Sequence, residues 1–393
     1  MRADPLRYLA EELDSLKSQG LYRHLRVLDE EQKPRTSFDH RSVINLSSNN
    51  YLGLTTHPKL RERALEATRT LGVGSGSVRT IAGTMSVHME LERRLAEFKR
   101  TAATVVFQSG FTANAGTVSS ILGKEDFIVS DELNHASIID GARLSRATIK
   151  VFPHRDAEAA RAIVQTLPRE RRRLIISDGV FSMDGDLGVL PALCDVADEF
   201  GCIMMVDDAH ASGVFGTNGR GTIDHFGLHG RVDIQVGTLS KAIGALGGYV
   251  AGSQALIEFL YHRARPFLFS TSHPPAVAAA CLAAIDVLES EPQLIERLWD
   301  NTRFFKRGLQ SLGFDTGTSE SPITPVIVGD AALAMKLSDV LFDNGVFAQG
   351  IGFPTVPRGK ARVRTIVTAT HTRDELQFAL DCFAKVGRSL GVI

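Results

Sequence analysis

A lysine follows an apolar run in the segment VGTLSKAIGALGG, which spans residues 236–248. Lys241 stands directly before small residues and glycines, which leave room around its side chain. A Ser-Lys pair by itself is most often part of a protein surface. The other use of such a lysine is as a Schiff-base amine, which requires a flexible amine in a crowded, poorly solvated pocket. Lys241 is a candidate nucleophile if other segments supply the rest of a site.

The segment CIMMVDDAHASGVFG places two aspartates and a histidine at the end of a second apolar run. Pyridoxal 5'-phosphate (PLP) acts as an electron sink while its ring nitrogen stays protonated, and an adjacent carboxylate keeps it so. Asp207 can serve that nitrogen, and His210, three residues later, can reach the ring hydroxyl. Two alternatives remain open, since Asp207 or Asp208 can merely cap the next turn and Asp-Asp-His can bind a metal. The metal site is the weaker alternative, because no HExxH-like cluster accompanies these residues.

A phosphate needs hydrogen-bond donors, and the segment GFTANAG (110–116) offers them at the start of a predicted helix. Backbone N–H groups and the helix dipole favour an anion at such a position. Thr238 and Ser240, beside the lysine, add hydroxyl donors, and the segment LFSTSHPP contains two more, Thr271 and Ser272. Each of these segments can equally be an ordinary turn.

Further polar side chains follow other predicted strands or lie on them. His135 in LNHASIIDG can stack on an aromatic heterocycle, or it can simply bond the backbone at a helix start. Asp178 and Ser182 in SDGVFSMDGD can bond the substituents of a bound ring, although DGD can also be a plain turn. Arg362 and Arg364 lie two residues apart on one face of a predicted strand, where one of them can clamp a carboxylate. Two solvent-facing arginines are the usual alternative.

Most of these candidate residues share one position in the organisation of the chain, because they follow short apolar runs between residues 103 and 252. The runs are TVVFQ, FIVSD, LIISD, IMMVDD and DIQVGT. Helical stretches separate them, and runs that are apolar on both faces predict a mostly parallel sheet with helices on both sides. Ligands bind at the carboxyl ends of the strands in such sheets, so this fold would bring the candidate residues together.

The two ends of the chain follow other patterns. Leucines at helical spacing predict an amphipathic helix over residues 5–19, which Gly20 would end. Beyond the large sheet, long helices alternate with single strands, which predicts a smaller α+β domain. We predict three parts: an N-terminal helix and arm (1–45), a large PLP-binding domain (46–288) and a small C-terminal domain (289–393).

Composition narrows the classes of protein. The 393 residues include 44 basic and 45 acidic ones, a balance that gives no support to a nucleic-acid binder. Four scattered cysteines form no CxxC pair and indicate neither a disulfide framework nor a zinc site. The N-terminus lacks the apolar region of a signal peptide, and no uncharged apolar run reaches the ~18 residues that cross a bilayer. We expect a cytoplasmic enzyme with no nucleic-acid or membrane partner.

Taken in order, the motifs of this chain resemble those of the α-oxoamine synthase family. They are NNYLGL, VRTIAGT, LNHASIIDG, DGVFSMDGD, VDDAH, GTLSK, RPFLFSTSHPP, PTVPRGKARVR and TATHT, and they span nearly the whole chain. Members of this family are fold-type I PLP enzymes that join an amino acid to an acyl-CoA. The resemblance implies an α/β fold of that type, a PLP cofactor, and a homodimer with active sites at the subunit interface.

The resemblance also implies roles for single residues. Lys241 would bind the cofactor as a Schiff base, and Asp207 would face the ring nitrogen. His210 would lie near the ring hydroxyl, and His135 would stack on the ring. Further cofactor contacts are expected from Gly110, Phe111, Ser182 and Thr238, from Asp178 and Ser240 as argued above, and from Thr271 and Ser272 of the neighbouring subunit. Substrate contacts are expected from Asn49, Tyr22, Thr355 and Arg364, of which Arg364 would hold the carboxylate.

Members of the family differ in their amino acid and acyl group. VRTIAGT, LNHASIIDG, RLWDNTRFF and the ending KVGRSLGVI favour the reaction of glycine with acetyl-CoA, which belongs to threonine degradation. STSHPP and FPTVP favour an alternative, the decarboxylating reaction of alanine with pimeloyl-CoA in biotin synthesis. That second group often has an arginine near GLYR that holds the pimeloyl carboxylate, whereas this chain has Tyr22 there, beside Arg23. We therefore expect glycine and acetyl-CoA, with the biotin reaction or a relaxed specificity for both as the alternative.

Overall fold

The apolar runs in the middle of the chain form strands of one sheet. The structure, a computed structural model, describes residues 4–19, 22 and 24–393. The strands of this described part are β1 (Arg35–Phe38), β2 (Arg41–Asn45), β3 (Ala103–Phe107), β4 (Phe127–Asp131), β5 (Thr148–Phe152), β6 (Arg173–Asp178), β7 (Ile203–Asp207), β8 (Ile234–Thr238), β9 (Gly248–Gly252), β10 (Ile323–Gly329), β11 (Val346–Phe347), β12 (Gln349–Ile351) and β13 (Ala361–Ile366). The large sheet has the order β3-β9-β8-β7-β6-β4-β5. All five predicted runs are among its strands.

The large sheet is mostly parallel, as predicted. The pairs β5–β4, β4–β6, β6–β7 and β7–β8 are parallel, and β9 runs antiparallel to both β8 and β3. The sequence analysis missed two strands for physical reasons. β5 lies at the edge of the sheet and exposes most of its residues, so it lacks an apolar run. β9 begins and ends in glycine, which disfavours a strand.

Helices cover both faces of the large sheet. The described helices are α1 (Arg7–Ser18), α2 (Pro58–Leu71), α3 (Ser86–Lys99), α4 (Gly110–Ile121), α5 (Ala136–Ser145), α6 (Ala157–Gln165), α7 (Leu190–Phe200), α8 (Thr222–His225), α9 (Gln254–Arg263), α10 (Arg265–Leu268), α11 (Pro275–Ser290), α12 (Gln293–Ser311), α13 (Ala331–Asp343) and α14 (Arg373–Ser389). Met204 and Met205 are adjacent in β7 and fully buried in two separate apolar clusters. Met205 packs in the cluster that contains α4 and α5, and Met204 in the one that contains α6 and α7. Alternation of side chains along a strand produces these two layers.

The predicted N-terminal helix is confirmed as α1, and every residue of this helix is exposed. Gly20, which was predicted to end it, lies outside the described residues. β2 pairs antiparallel with β1 and parallel with β11, so Ile44 lies opposite Val346. The N-terminal arm and the C-terminal part of the chain therefore share a small sheet. Another small sheet, β10-β13-β12, belongs to the C-terminal part, and the two predicted domain boundaries stay a prediction.

Three further findings concern the described residues as a whole. None of their helices is long and apolar enough to cross a membrane. The four cysteines are buried and unpaired. Within the described ranges, no group of three or more His, Cys, Asp or Glu side chains is arranged to hold a metal ion, so the Asp-Asp-His segment gains no support as a metal site.

Candidate active site

The carboxyl ends of three neighbouring strands lie side by side at one edge of the large sheet. Asp178 ends β6 and Asp207 ends β7, and the register pairs these two residues directly. Thr238 ends the next strand, β8. All three line a cavity of about 170 Å³. The cavity is also lined by Ser109, Gly110, Phe111, His135, Ser137, Ser182, Ala209, His210, Ser240 and Lys241. The fold therefore brings the predicted lysine, aspartate and histidines together.

The amine of Lys241 lies in surroundings that suit a nucleophile or a base. Lys241 is partly buried, and its side chain makes no hydrogen bond or ion pair with the described residues. Burial lowers the pKa of Lys241 and the Arg364 guanidinium adds to this, although the carboxyl groups of Asp207 and Asp178 oppose it. A lowered pKa increases the fraction of neutral amine, which is the form that attacks carbonyls and takes up protons.

A glycine lets the turn after β7 pack against the lysine segment. Gly213 has a φ of +81°, a conformation that side chains rarely adopt, and a Cβ there would lie 2.4 Å from the Cβ of Ala242. Because this position has no side chain, the turn that contains His210 can pack against Ala242, the residue after Lys241.

Asp207 is oriented by two hydrogen bonds and keeps capacity for a third. Its side chain is buried, Oδ1 accepts from the Ala209 N–H at 2.8 Å, and Oδ2 accepts from Asn114 Nδ2 at 2.6 Å. An ionised carboxylate has about four lone-pair sites, so a cationic N–H in the cavity can still bond to it. The bond to Ala209 also caps the following turn, so the capping alternative and the cofactor role are compatible.

Asp208 has a different role from its neighbour. It is fully buried, accepts from Lys99 Nζ at 3.1 Å and from the Thr222 N–H at 3.2 Å, and does not line the cavity. Lys99 is 1% exposed, so this is a buried ion pair that joins the end of α3 to the start of α8. The first aspartate of the pair therefore faces the cavity, and the second stabilises the fold.

The start of α4 faces the same cavity. Ser109 caps this helix by accepting a hydrogen bond from the Thr112 N–H at 3.1 Å. The N–H groups of Gly110 and Phe111 find no acceptor among the described residues, and both residues line the cavity. The hydroxyl oxygens of Thr238 and Ser240 lie 2.8 Å apart on its wall. Free N–H groups at a helix start, together with hydroxyls, suit a phosphate.

His135 presents one defined nitrogen to the cavity. Its Nδ1 accepts from the Ser137 N–H at 3.2 Å and lies 2.7 Å from Ser137 Oγ. Because a backbone N–H can only donate, the proton of the neutral ring lies on Nε2. Burial lowers the pKa of His135, although Asp207 opposes this effect, so the neutral ring is favoured. The His135 N–H donates to Asp178 Oδ2 at 2.9 Å, and burial, followed by Asp207, raises the pKa of Asp178 well above its usual range.

Two arginines of β13 bond the loop that contains Ser182, although neither arginine is among the residues that line the cavity. Arg364 Nη1 donates to the Ser182 carbonyl oxygen at 3.0 Å, and Arg362 Nη1 donates to the Met183 carbonyl oxygen at 2.9 Å. The two arginines therefore share a strand face, as predicted. Arg362 is 3% exposed and paired with Asp184, whereas Arg364 has no ion pair within the described chain. Of the two, Arg364 is the one left to bind a substrate carboxylate, which stays a prediction.

Three predicted substrate residues lie away from this cavity. Tyr22 and Thr355 line a different, larger cavity of about 720 Å³ between α1 and the C-terminal part. Asn49 lines neither cavity, and its buried Oδ1 has no hydrogen-bond partner among the described residues. Arg23, the residue noted beside Tyr22, lies outside the described residues.

Two predicted phosphate ligands also lie away from this chain's own cavity. Thr271 is exposed, whereas the Ser272 hydroxyl donates to the Gly83 carbonyl oxygen at 2.5 Å and lies 2.7 Å from Ser75 Oγ. The expectation that the pair serves a neighbouring subunit stays a prediction, and of the two hydroxyls that of Thr271 has no hydrogen bond within the described residues.

Sequence reasoning missed three side chains that orient the site. The Tyr51 hydroxyl lies 2.7 Å from His210 Nδ1, and Asn114 and Ser137 bond Asp207 and His135 as described above. Asn114 Nδ2 also donates to Ser137 Oγ at 2.9 Å, so one chain of hydrogen bonds links Asp207 to His135. Ser137 could have been found from the sequence, because a hydroxyl two residues after a histidine at a helix start can reach the histidine ring.

A buried charge cluster supports the loop that carries Ser182. His154 Nδ1 lies 3.0 Å from Asp131 Oδ1, and its Nε2 lies 3.0 Å from Asp186 Oδ2. Burial alone would lower the pKa of His154, but the hydrogen bonds to the two aspartates outweigh it and raise the pKa to about 9. The charged ring joins the end of β4 to this loop.

We predict that His154 makes the stability of the chain depend on pH. Because its pKa is raised from 6.5 to about 9, its contribution to the free energy of unfolding is complete below pH 6.5 and is lost as the pH rises through about 9. Partial exposure to solvent reduces the expected contribution to about 1–2 kcal/mol. The stability gap between the wild type and His154→Gln should shrink by that amount between about pH 6 and about pH 10 in urea unfolding of the cofactor-free chain. The exposed His262→Gln is the control, and a constant gap for His154→Gln would contradict the prediction.

The donor set of the cavity fits the cofactor predicted from the sequence. An aldehyde requires an amine, which Lys241 supplies, and a cationic ring nitrogen requires a carboxylate with an open side, which is Asp207. A phosphate requires donors, which lie at the start of α4. Because all of these groups line one cavity, PLP fits the residues present.

Comparison with known proteins agrees with this geometry. Residues 41–383 match the family described as aminotransferase class I and II. The chain is 63% identical over 387 residues to an 8-amino-7-oxononanoate synthase of Symbiobacterium thermophilum, which covers 98% of this chain and 99% of that protein. Seven other relatives that are 52–57% identical carry the same activity name.

Solved structures show the same relationship. A serine palmitoyltransferase of S. paucimobilis with bound PLP is 34% identical and has a TM-score of 0.94 over 99% of this chain and all of that chain. An 8-amino-7-oxononanoate synthase of Francisella tularensis is 29% identical, with a TM-score of 0.76 over 89% and 99% of the two chains. The predicted fold-type I architecture and the PLP cofactor are thereby confirmed. This chain belongs to the class I and II aminotransferase family of PLP enzymes, and within it to the α-oxoamine synthases.

Proposed function

We propose that the chain is an 8-amino-7-oxononanoate synthase, which condenses L-alanine with pimeloyl-CoA and releases CoA and CO₂. The observation that carries the proposal is the 63% identity, over 98% of the chain, to a protein of that name. The expectation of glycine and acetyl-CoA is thereby replaced by the alternative that the sequence analysis gave. The proposed pathway is accordingly biotin synthesis, and threonine degradation finds no support.

Three residues each have a separate role in the first half of the reaction, in which the amino acid loses its Cα proton. PLP, when bound, supplies an electron sink for the electron pair that remains when the amino-acid Cα loses its proton. Asp207 keeps the ring nitrogen cationic with its oriented carboxylate. Lys241 takes the Cα proton, because its lowered pKa favours the neutral amine. Arg364, anchored on the Ser182 carbonyl oxygen, holds the substrate carboxylate by donating its remaining N–H groups.

His135 serves the acyl transfer that follows. Its Nε2–H, the ring group not used by Ser137, donates to the thioester oxygen as negative charge develops there. The alanine Cα then bonds to the acyl carbon, the C–S bond breaks, and CoA leaves. The alanine carboxylate departs as CO₂, and the protonated Lys241 returns a proton to the same carbon.

A screen of thiol release tests the choice of substrates. Alanine, glycine and serine are each combined with pimeloyl-, acetyl-, succinyl- and palmitoyl-CoA in the presence of PLP. We expect kcat/KM for alanine with pimeloyl-CoA to exceed that of every other pair by at least about tenfold. Carboxyl-labelled alanine should release labelled CO₂ in step with the thiol. A preference for glycine with acetyl-CoA, without CO₂, would overturn the proposal.

We also propose that the enzyme is a homodimer with shared sites. Large apolar side chains are exposed on α1 and beside Thr271, including Tyr8 at 57% and Phe269 at 69%, and such surface is usually covered by a partner. Thr271 is then the hydroxyl available to the neighbouring subunit's phosphate. A particle with the mass of one chain, measured by light scattering with PLP bound, would contradict this proposal.

A further inference from the structure

Tyr51 and His210 form a buried pair at the edge of the cavity. The Tyr51 hydroxyl oxygen lies 2.7 Å from His210 Nδ1, and the two rings meet edge to face with centroids 6.2 Å apart. Tyr51 is 1% exposed, and its backbone carbonyl accepts from the Ala369 N–H at 2.7 Å, so the residue is firmly placed. His210 lines the cavity and Tyr51 does not. Tyr51 therefore does not touch a ligand in the cavity, and its hydroxyl reaches such a ligand through His210.

The surroundings determine which of the two groups donates the hydrogen bond. Burial raises the pKa of Tyr51, so its hydroxyl keeps its proton. That hydroxyl has no other acceptor among the described residues, and if it accepted from His210 its own buried proton would have no partner. Hydrogen bonding therefore favours donation from the hydroxyl to Nδ1.

The protonation state of His210 completes the assignment. Burial, with Lys241 as the next cause, lowers the pKa of His210 well below its usual range. The ring is therefore neutral and carries one proton. Since Nδ1 accepts from Tyr51, that proton lies on Nε2.

We propose that Tyr51 is a positioning residue that fixes His210 as the Nε2–H tautomer, so that His210 donates a hydrogen bond to an anionic oxygen of the ligand in the cavity. On PLP, the oxygen of this kind is the deprotonated ring hydroxyl. A hydrogen-bond donor stabilises negative charge on that oxygen. The oxygen then attracts the proton of the neighbouring lysine-bound nitrogen less strongly, so the pKa of that nitrogen is lower. The inference rests on the proposed function, which places His210 at the cofactor, but its first test needs neither substrate nor turnover.

The first test reads the tautomer directly. In the full chain labelled with ¹⁵N-histidine, with His210→Asn used to assign the signals, we expect an unprotonated Nδ1 and a protonated Nε2. Tyr51→Phe should move the Nδ1 signal toward that of an unbonded ring nitrogen. Tyr249→Phe is the matched control, because Tyr249 is equally buried but its hydroxyl bonds Ser212 at 2.8 Å. A protonated Nδ1 in the wild type, or an unchanged signal in Tyr51→Phe, would overturn the inference.

The second test uses the chain loaded with PLP. The midpoint of the pH titration of its visible absorbance should rise by about one unit in Tyr51→Phe, because a weaker donor leaves the lysine-bound nitrogen more basic. The midpoint should stay in place in Tyr249→Phe, and an equal midpoint in Tyr51→Phe would overturn the inference. If both shifts occur in a chain that does not turn over alanine with pimeloyl-CoA, the inference stands and the proposed substrates are wrong.

Discussion

Lys241→Ala will bind PLP without the visible absorbance of the wild type and will release CoA at least about a thousand-fold more slowly. The proposed mechanism gives this residue two functions, covalent attachment of the cofactor and removal of the Cα proton, and one substitution would end both. The fold should survive the change, because the Lys241 side chain makes no hydrogen bond or ion pair with other described residues. Absorbance spectra and a thiol assay measure the two effects on the same sample.

Lys241→Arg tests whether Lys241 acts as a base and nucleophile or only as a positive charge. Arginine keeps a cation near Asp207 and Asp178, but its guanidinium does not lose a proton in proteins and cannot act as base or nucleophile. We expect the same two losses as in the alanine variant. If the arginine variant retained either the absorbance or the turnover, Lys241 would serve only as a positive charge, and the assigned role would be wrong.

The large sheet and the residues at its strand ends could be predicted because both depend on local pattern. In β7, three buried residues lead directly to Asp207, so one segment contains the strand and its polar end. Once β6 and β7 are neighbours, their register places Asp178 opposite Asp207. This explains why the cofactor site followed from short motifs, although β5 and β9 did not.

The side chains that orient the site could not be predicted because their partners come from distant segments. Tyr51 is 159 residues from His210, and Asn114 is 93 residues from Asp207, so no pattern within a segment reveals either pair. Two residues predicted to contact substrate were brought together in the same way. Tyr22 and Thr355 meet in one cavity only because α1 lies near the C-terminal part, and the shape of that cavity is not readable from motifs.

Asp207→Asn should bind PLP but exchange the Cα proton of alanine with solvent about 100-fold more slowly or worse. Asparagine keeps the shape of the side chain and an oxygen for the Ala209 N–H, but it has no negative charge. Without that charge the pKa of the ring nitrogen falls by about one to three units, so the cationic form becomes rare at neutral pH. Loss of the Cα–H signal of alanine in D₂O, followed by NMR without acyl-CoA, measures this step alone.

Asp208→Asn is the matched control, because it makes the same chemical change one residue along the chain. Asp208 pairs with the buried Lys99, so removing its charge leaves a lysine cation without its partner and should lower the free energy of unfolding by about 3 kcal/mol. Its exchange rate per folded molecule should stay within a few-fold of the wild type, since Asp208 does not line the cavity. Equal slowing in both variants would mean that Asp207 acts through the fold. Separate effects, on rate for Asp207 and on stability for Asp208, are expected because one carboxylate faces a ligand and the other faces a lysine.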